Sequence, residues 1–472
     1  MMLDAPVSVV SLYQKQETIY PRAVSGWFAG WRWALVWATQ IVFYGLPWLE
    51  WNARQAMLFD LVSRRFYIFG LVLYPQDFIY LTAVLIISAY ALFLFTAVAG
   101  RLWCGFACPQ TVYTEIFLWI ERRIEGDRGA RMKRDRGPWS VDKTWRKAIK
   151  HTVWLAIGLW SGFTLVGYFT PIRSLAAQLA PFGFGPWEAF WILFYGFATY
   201  GNAGWLREQV CKYMCPYARF QSAMFDKDTL IITYDAGRGE PRGSRPRNTD
   251  PKTRGLGDCV DCSLCVQVCP TGIDIRRGLQ YECIGCASCI DVCNTVMDKV
   301  GSPHGLIRYT TQNALAHGLS GRDILKRTLR PRVLVYSAIL ILIVCALLAS
   351  LSLRSPFKVD VVRDRGSLAR LVGEGDVENV YRLQIMNATE SVQRYRVSIH
   401  GIQSAQVKGA TEVTLDSAQA RWVGMAVRVD RAAAAALGPG SHPVQFHIEL
   451  LQPAQAPTGP MVQEKSTFIV PR

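Results

Sequence analysis

Beyond Cys345 the sequence contains no cysteine, so nothing in the last part of the chain indicates a disulfide framework. The first 32 residues lack the apolar run and small-residue cleavage site of a secretory signal peptide, and we expect no such peptide to be removed. Histidine, the side chain that most often acts as a general base, is scarce, with six in 472 residues. No arrangement of side chains in the sequence indicates a general base. Candidate chemistry is therefore concentrated in the 13 cysteines.

Acidic residues are few relative to basic ones, 36 against 52, which gives a formal net charge of +16. Residues 101–150 alone carry twelve Lys and Arg, whereas the loops 50–77 and 171–188 carry three and one. Basic residues that flank apolar runs on one side of a membrane follow the positive-inside rule and indicate topology. We therefore attribute the charge to membrane orientation and expect no nucleic-acid partner.

Hydrophobic residues make up 51% of the chain, which predicts a multi-domain membrane protein with soluble parts. A helix needs about 20 apolar residues to cross a bilayer. The charge distribution places the N-terminus, residues 101–150 and residues 207–332 in the cytoplasm and the C-terminus outside. Five stretches are apolar enough to span, the first of them short, and they predict an α-helical transmembrane region: Trp33–Leu49, Phe78–Ala99, Thr152–Thr170, Ala189–Leu206 and Val333–Leu353.

Residues 354–472 have a different pattern, in which short runs of alternating apolar and polar residues are separated by Gly, Pro, Asn and Asp. Such runs are typical of strands, and several of them predict an immunoglobulin-like β-sandwich. Residues 432–436 are an exception that predicts one helical turn. The clearest predicted strands are Tyr381–Met386, Tyr395–His400, Ala420–Val429 and Val444–Leu450.

The stretch from Cys259 to Cys293 contains the spacing C-x₂-C-x₂-C-x₃-C twice, which is the signature of a bacterial two-[4Fe–4S] ferredoxin domain. Three cysteines at every third position wrap a loop around three corners of a cubane, and the fourth reaches the other cluster. Paired C-x₂-C motifs also bind structural zinc, but zinc leaves the third cysteine of each run unexplained. We therefore assign Cys259, Cys262, Cys265 and Cys293 to cluster 1, and Cys283, Cys286, Cys289 and Cys269 to cluster 2. Cluster thiolates must stay reduced, which agrees with a cytoplasmic location.

Four further cysteines form two C-x₃-C-P motifs, each just after a predicted membrane span. Because proline disfavours helical backbone before it and suits the first helical position, we expect Cys108 and Cys215 at helix N-termini. The helix dipole there is expected to lower the thiol pKa. Buried packing would explain one cysteine, such as Cys345, but not two repeated motifs. Copper binding, a reversible disulfide and a further cluster all remain possible for these candidate catalytic residues, which are Cys104, Cys108, Cys211 and Cys215.

With these motifs in place, the chain resembles the FixG/RdxA/CcoG family of cytochrome c oxidase accessory proteins. The resemblance rests on the ordered combination of I-Y-P-R at Ile19–Arg22, both C-x₃-C-P motifs, the double ferredoxin run, and V-M-D-K-V-G-S-P-H-G-L-I-R-Y-T-T after Cys293. It implies a bacterial inner-membrane protein that supports assembly of cbb3-type oxidase by reducing Cu(II) to Cu(I). The resemblance implies that the eight cysteines from 259 to 293 ligate the clusters and that the C-x₃-C-P cysteines take part in copper or redox chemistry.

The motifs and the resemblance together predict an oxidoreductase, a cupric reductase. Electrons would pass from a cytoplasmic donor through both clusters to the C-x₃-C-P thiols, and Cu(I) would go to the oxidase assembly machinery or a copper chaperone. Two alternatives remain open: an electron relay to a quinone or membrane partner, and a non-catalytic assembly factor whose outer β-domain docks its client.

The predicted domains follow from the same boundaries. They are a cytoplasmic N-terminal segment (1–32), a four-span region with the basic loop (33–215), a cytoplasmic linker (216–258), the ferredoxin domain with its following segment (259–332), the fifth span (333–353) and a periplasmic β-sandwich (354–472).

Overall fold

The computed structural model describes residues 18–52, 54–180, 183–245, 251–364, 366, 368–373, 375–451 and 459–472. The chain divides into two compact units, each built from separate stretches of sequence. The first comprises Met1–Phe43, Ser88–Leu165 and Gly185–Leu340, and the second comprises Tyr44–Ile87, Val166–Phe184 and Ile341–Arg472.

Helix boundaries follow local chemistry. The fourth helix begins at Pro109, whose fixed φ suits the first helical position, and ends before Gly126, which has a φ of 87°. Two short π-helical segments, Gly201–Leu206 and Val210–Met214, follow the eighth helix. In chain order the helices are α1 (Trp27–Gly45), α2 (Phe78–Ala99), α3 (Leu102–Phe106), α4 (Pro109–Glu125), α5 (Arg128–Arg136), α6 (Val141–Val166), α7 (Ile172–Ala177), α8 (Pro186–Tyr200), α9 (Pro216–Met224), α10 (Ala236–Gly239), α11 (Leu264–Gln267), α12 (Ser288–Val300), α13 (Gln312–His317), α14 (Gly321–Thr328), α15 (Pro331–Ser352) and α16 (Arg431–Leu437).

The strands form five sheets in the part of the chain that the structure describes, and every pairing is antiparallel. In chain order they are β1 (Glu50–Trp51), β2 (Arg54–Gln55), β3 (Met57–Asp60), β4 (Arg65–Ile68), β5 (Leu71–Leu73), β6 (Ile231–Tyr234), β7 (Ile307–Thr310), β8 (Phe357–Arg363), β9 (Arg370–Val372), β10 (Asp376–Asn387), β11 (Gln393–His400), β12 (Gln406–Gly409), β13 (Glu412–Leu415), β14 (Ala420–Val429), β15 (Gly440–Leu451) and β16 (Met461–Val470).

Two helical segments among the described residues are long and apolar enough to cross a bilayer, Pro75–Ala99 and Pro331–Ser352. They coincide with the second and fifth predicted spans, so the prediction of five spans is not confirmed. The other three predicted spans fall on helices with different bounds. Helix α1 begins six residues before Trp33 and stops at Gly45, because Pro47 interrupts it before Leu49. Helix α6 extends back through a charged segment to Val141 and ends at Val166 rather than Thr170.

The C-terminal strands form the predicted two-sheet sandwich. One sheet has the order β12-β14-β10-β8 with β9 also pairing β10, and the other has the order β13-β11-β15-β16. Alternate residues point inward, as in β14, where Val423, Met425 and Val427 are buried and the residues between them are more exposed. The aromatic side chains at the centre of this core are all fully buried: Phe357, Tyr381, Tyr395, Phe446 and Phe468.

The cytoplasmic linker predicted over residues 216–258 contains structure of its own. Strand β6 pairs with β7, so that Ile231 lies opposite Thr310 and Tyr234 opposite Ile307, on either side of the cysteine-rich segment. Arg238 in α10 contacts the Asp258 carboxylate and donates to the His304 carbonyl oxygen at 2.9 Å. The sequence did not indicate this strand, because the apolar residues at 231–234 are too few. Its residues 246–250 lie outside the described residues.

We expect Phe446→Ala to lower the free energy of unfolding of the sandwich by about 3–5 kcal/mol, because it leaves a cavity between fully packed sheets. Pulse proteolysis of the detergent-solubilised full chain in urea, following the C-terminal fragment, measures the change. Trp422→Ala is the matched control, since the Trp422 side chain is 52% exposed and its loss should change the midpoint little. Equal shifts in both variants would contradict the assignment of this core.

Candidate functional site: two cysteine-lined cavities beside four thiols

The four cysteines assigned to cluster 1 line one cavity in the first unit. Its remaining walls are mostly apolar and include Val260, Leu264, Val296 and Leu306. Cys262 is exposed, whereas Cys259 is buried, so this cavity lies close to the protein surface. The three cysteines of the first run and the remote Cys293 thus surround one space, which is the arrangement that the spacing predicts.

The four cysteines assigned to cluster 2 line a second cavity, and Cys265 borders both. Ile232 from β6 and Ile273, Ile275 and Ile284 complete the wall. Burial raises the pKa of the Cys283 thiol to about 12, although the charge of Arg101 opposes this rise. A shared wall at Cys265 places the two predicted clusters beside each other.

Both ligand loops use left-handed backbone at the same two places. Asp261 and Gly285 precede the second cysteine of each run, with φ of 53° and 71°, and Ser263 and Ala287 follow it, with φ of 54° and 60°. Left-handed backbone costs a non-glycine residue on the order of 1–3 kcal/mol, so a repeated occurrence in two loops indicates function. Alternation of left- and right-handed residues turns backbone N–H groups into a concave anion site of the kind that holds Fe–S clusters.

The donor chemistry of these cavities fits [4Fe–4S] clusters. Each cavity offers at least four sulfurs and a largely apolar wall, which are the features of cubane sites. Within the described ranges no group of three or more His, Cys, Asp or Glu side chains is close enough to hold a single metal ion. A structural zinc site would leave the third cysteine of each run unexplained, so the number of donors favours a multinuclear cluster.

The C-x₃-C-P cysteines lie where the proline rule predicted. Cys108 is the residue before α4, with an extended ψ of 130°, and Cys215 is the residue before α9, with a ψ of 111°. Cys104 belongs to α3 and Cys211 to the π-helical segment Val210–Met214. The thiols lie within electrostatic range of one another, because a charge on Cys108 or Cys211 raises the pKa of Cys104 and a charge on Cys215 raises the pKa of Cys108. The two motifs therefore meet at one place.

The predicted lowering of the thiol pKa at the helix N-terminus was wrong for Cys108. Backbone N–H groups of Gln110 and Thr111 do lower its pKa, but burial raises it more, and the net shift is upward. Burial also raises the pKa of Cys104 to about 12 and of Cys211 to about 11. These thiols hold their protons at neutral pH, so a metal that binds them must displace protons.

The first C-x₃-C-P loop touches the ligand loop of cluster 2 directly. A Cβ built on Gly105 would lie 2.7 Å from the carbonyl carbon and oxygen of Gly285 and 2.8 Å from the Cα of Cys286. A Cβ on Gly285 would in turn lie 3.0 Å from the backbone of Arg101. Only glycine allows this approach, and it brings the thiol site and the cluster 2 site into backbone contact.

Three residues around cluster 2 were missed at the level of sequence. Arg32 and Arg101 are both buried, and Asp291 is buried between the ligands Cys289 and Cys293. The Asp291 carboxylate accepts hydrogen bonds from backbone N–H groups at the start of α1. A single arginine inside the apolar helix α1 was the available signal, since charges in such helices usually mark functional sites.

Family models match three stretches of the chain. One described as a 4Fe-4S dicluster domain matches residues 206–312, and one described as a 4Fe-4S binding domain matches residues 81–126. A model described as an IG-like fold at the C-terminal of FixG matches residues 347–471. These matches confirm the iron–sulfur cofactors and the immunoglobulin-like domain, while the ligand assigned to each cysteine stays a prediction.

Curated relatives match over most of the chain. The nitrogen fixation protein FixG of Rhizobium meliloti is 38% identical over 436 residues, which cover 86% of this chain and 83% of the relative. Protein RdxB of Cereibacter sphaeroides is 40% identical over 406 residues, 84% of this chain and 85% of the relative. Protein RdxA of the same organism is 36% identical over 398 residues, 83% of this chain and 84% of the relative.

We expect Cys262→Ala to remove one cubane, about four iron atoms per chain, from anaerobically purified protein. Acid-labile sulfide should fall in parallel, because iron and sulfide leave together. Cys345→Ala is the matched control, since that cysteine lies in α15 and lines neither cavity, and its loss should leave both contents unchanged. Zinc in place of iron, with no sulfide in the unmutated protein, would contradict the cluster assignment.

Proposed function

Because the chain belongs to the FixG family, we propose that it takes electrons from a cytoplasmic one-electron carrier protein and reduces Cu(II) to Cu(I) at the C-x₃-C-P thiols. The carrier loses one electron for each Cu(II) that gains one, and the thiols release their protons to water as they bind copper. The Cu(I) product then serves the assembly of cbb3-type oxidase, through the assembly machinery or a copper chaperone. [4Fe–4S] clusters on the eight cysteines supply one-electron storage when bound.

The contact between Gly105 and Gly285 is the observation that carries this proposal. It joins the loop that contains Cys104 and Cys108 to the loop that contains Cys286. Electron transfer needs its two centres close together, and this backbone contact leaves no room for an intervening side chain or water. A thiol site built only for structure has no need to abut a cluster loop.

The composition of the thiol site suits the reduced product. Its cysteine sulfurs are soft ligands, which favour Cu(I) over harder divalent ions. The Sγ atom of Cys104 donates to the Gln221 Oε1 at 3.5 Å, and Gln221 is itself buried. Neutral thiols in apolar surroundings become thiolates only in exchange for a cation, so copper binding is coupled to proton release.

For the membrane, we propose the five-span topology with the cysteine sites on the cytoplasmic face of a bacterial inner membrane. Pro75–Ala99 and Pro331–Ser352 meet the requirement of length and composition, and α1, α6 and α8 would complete the set. The basic segment 101–150 contains α4 and α5 and supports a cytoplasmic location. The β-sandwich then lies in the periplasm.

A second candidate function is electron relay to a quinone or membrane partner through a third cluster at the same thiols. One observation favours it: the 4Fe-4S binding domain model over residues 81–126 includes Cys104 and Cys108. Iron content separates the two candidates, because a third cluster adds about four iron atoms per chain.

We expect the double variants C104S/C108S and C211S/C215S to lose most Cu(II) reduction while keeping the full iron content. Purified protein reduced anaerobically is mixed with Cu(II), and Cu(I) is followed with a chromogenic chelator. Cys345→Ser is the control and should reduce copper normally, because it lies outside both motifs. Unchanged copper reduction in the double variants removes the copper site, and loss of about four iron atoms in both of them supports the third cluster instead.

We expect Gly105→Ala to slow oxidation of the reduced protein by Cu(II) several-fold, with iron content unchanged. The new Cβ meets the backbone of Gly285 and must push the two loops apart. Gly30→Ala is the matched control, since a Cβ there meets nothing within 4 Å. Stopped-flow absorbance of the clusters after mixing measures the rate, and equal rates in the two variants would show that the loop contact is not on the electron path.

A further inference from the structure

Arg32 of α1 is held against the ligand loop of cluster 2. Its side chain is buried, with the residue 5% exposed, and its Nη1 atom donates to the Cys286 carbonyl oxygen at 2.8 Å and to the Ser288 hydroxyl. No carboxylate forms an ion pair with Arg32 in the part of the chain that the structure describes. Its positive charge is therefore not cancelled by direct pairing.

The hydroxyl of Ser288 is oriented by this contact. An arginine side chain only donates, so the Ser288 oxygen must accept from it and turn its own hydrogen elsewhere. The Sγ atom of Cys286 lies 3.5 Å from the Ser288 Oγ and in its thiol form is the donor of that pair. With a cluster bound, Cys286 would be a thiolate whose sulfur only accepts, and the Ser288 hydroxyl would be placed to donate to it.

The ligand loop of cluster 1 has no hydroxyl group at the position that matches Ser288. Aligning the two runs places Leu264 opposite Ser288, and leucine donates no hydrogen bond. Arg276 lines the cluster 1 cavity, but it forms ion pairs with both Asp261 and Asp274. The Tyr234 hydroxyl lies within hydrogen-bonding reach of the Cys259 sulfur as well as of a Glu240 carboxylate oxygen, 3.2 Å away, so cluster 1 has a hydroxyl of its own, but the arginine beside it, Arg276, is paired with carboxylates.

We infer that Arg32, acting through Ser288, raises the reduction potential of cluster 2 above that of cluster 1, so that electrons move inward to the C-x₃-C-P thiols. Reduction adds negative charge to a cluster, and both a nearby cation and a hydrogen bond to a ligand sulfur favour the reduced form. The inference rests on the proposed cluster assignment but not on copper reduction. Arg32 is a positioning and tuning residue, not a catalytic one.

Other charged groups also lie near the two predicted clusters. Arg101 is a second buried cation near Cys283, and it acts in the same direction as Arg32. Asp291 lies between ligands of both clusters, and its carboxylate is satisfied by the N–H groups of Phe28 and Ala29. Water at the exposed Cys262 raises the potential of cluster 1. A buried cation outweighs it, because charges interact far more strongly in the protein interior than in water.

The test is redox titration of the loaded full-length protein, followed by EPR, with Arg32→Gln and Ser288→Ala. In unmutated protein we expect two midpoint potentials, and in Cys262→Ala, which keeps cluster 2, only the higher one. Arg32→Gln removes the charge, and at a fixed potential it should lower the reduced-to-oxidised ratio of that cluster about tenfold, equivalent to 59 mV for one electron. Ser288→Ala should lower the same ratio, and the midpoint potential of cluster 1 should stay unchanged in both variants.

Two further variants, Arg32→Lys and Ser288→Ala, distinguish an effect of the Arg32 charge from a loss of structure. Arg32→Lys retains the charge, so the midpoint potential of cluster 2 in this variant should lie between those of Arg32→Gln and the unmutated protein. A merely structural role of Arg32 predicts no such order. If Arg32→Gln fails to load iron, Ser288→Ala decides alone. The inference is overturned if Arg32→Gln and Ser288→Ala leave the potentials unchanged or shift both clusters equally. It is also overturned if the cluster that survives in Cys262→Ala is the one of lower potential. None of these outcomes bears on whether the thiols reduce copper, which the serine variants test separately.

Discussion

The close approach of two backbones at Gly105 and Gly285 is the constraint from which the arrangement of the first unit follows. Neither position tolerates a Cβ without displacing the other loop. Because each loop also carries cysteines, the same contact that packs α3 against the cluster domain brings two sulfur-rich sites together. A packing requirement and a requirement for short-range electron transfer are met by one pair of glycines.

Helix α1 makes polar contacts with the cysteine-rich segment in addition to presenting an apolar surface. Its N-terminus is held by the Asp291 carboxylate, and one turn later Arg32 reaches the carbonyl oxygen of Cys286. Both contacts fall on the ligand segment of cluster 2. A helix that looks in sequence like a simple anchor is therefore attached to the cofactor site through polar interactions, which are strong because they are buried.

The two cluster loops are alike in backbone and unlike in surroundings. Left-handed residues recur at the same places in both, since the cubane imposes the same curvature on each run. The charged side chains that surround them differ: Arg276 and its carboxylate partners beside cluster 1 belong to the cysteine-rich segment, whereas Arg32 and Arg101 beside cluster 2 come from distant segments. A duplicated sequence has thus provided two similar cofactor sites, and non-local contacts with α1 and α3 distinguish their electrostatics.

The sequence by itself determined whatever depends on local spacing. The cysteine runs predicted the iron–sulfur domain, the proline rule placed Cys108 and Cys215 before their helices, and alternation predicted the sandwich strands. Spacing could not reveal that Gly105 abuts Gly285, that residues 231–234 pair across the cysteine segment, or that burial raises the Cys108 pKa against the helix dipole. These facts arise from segments far apart in the chain, because contact, desolvation and charge pairing depend on which surfaces meet in three dimensions. Only the tertiary structure decided them.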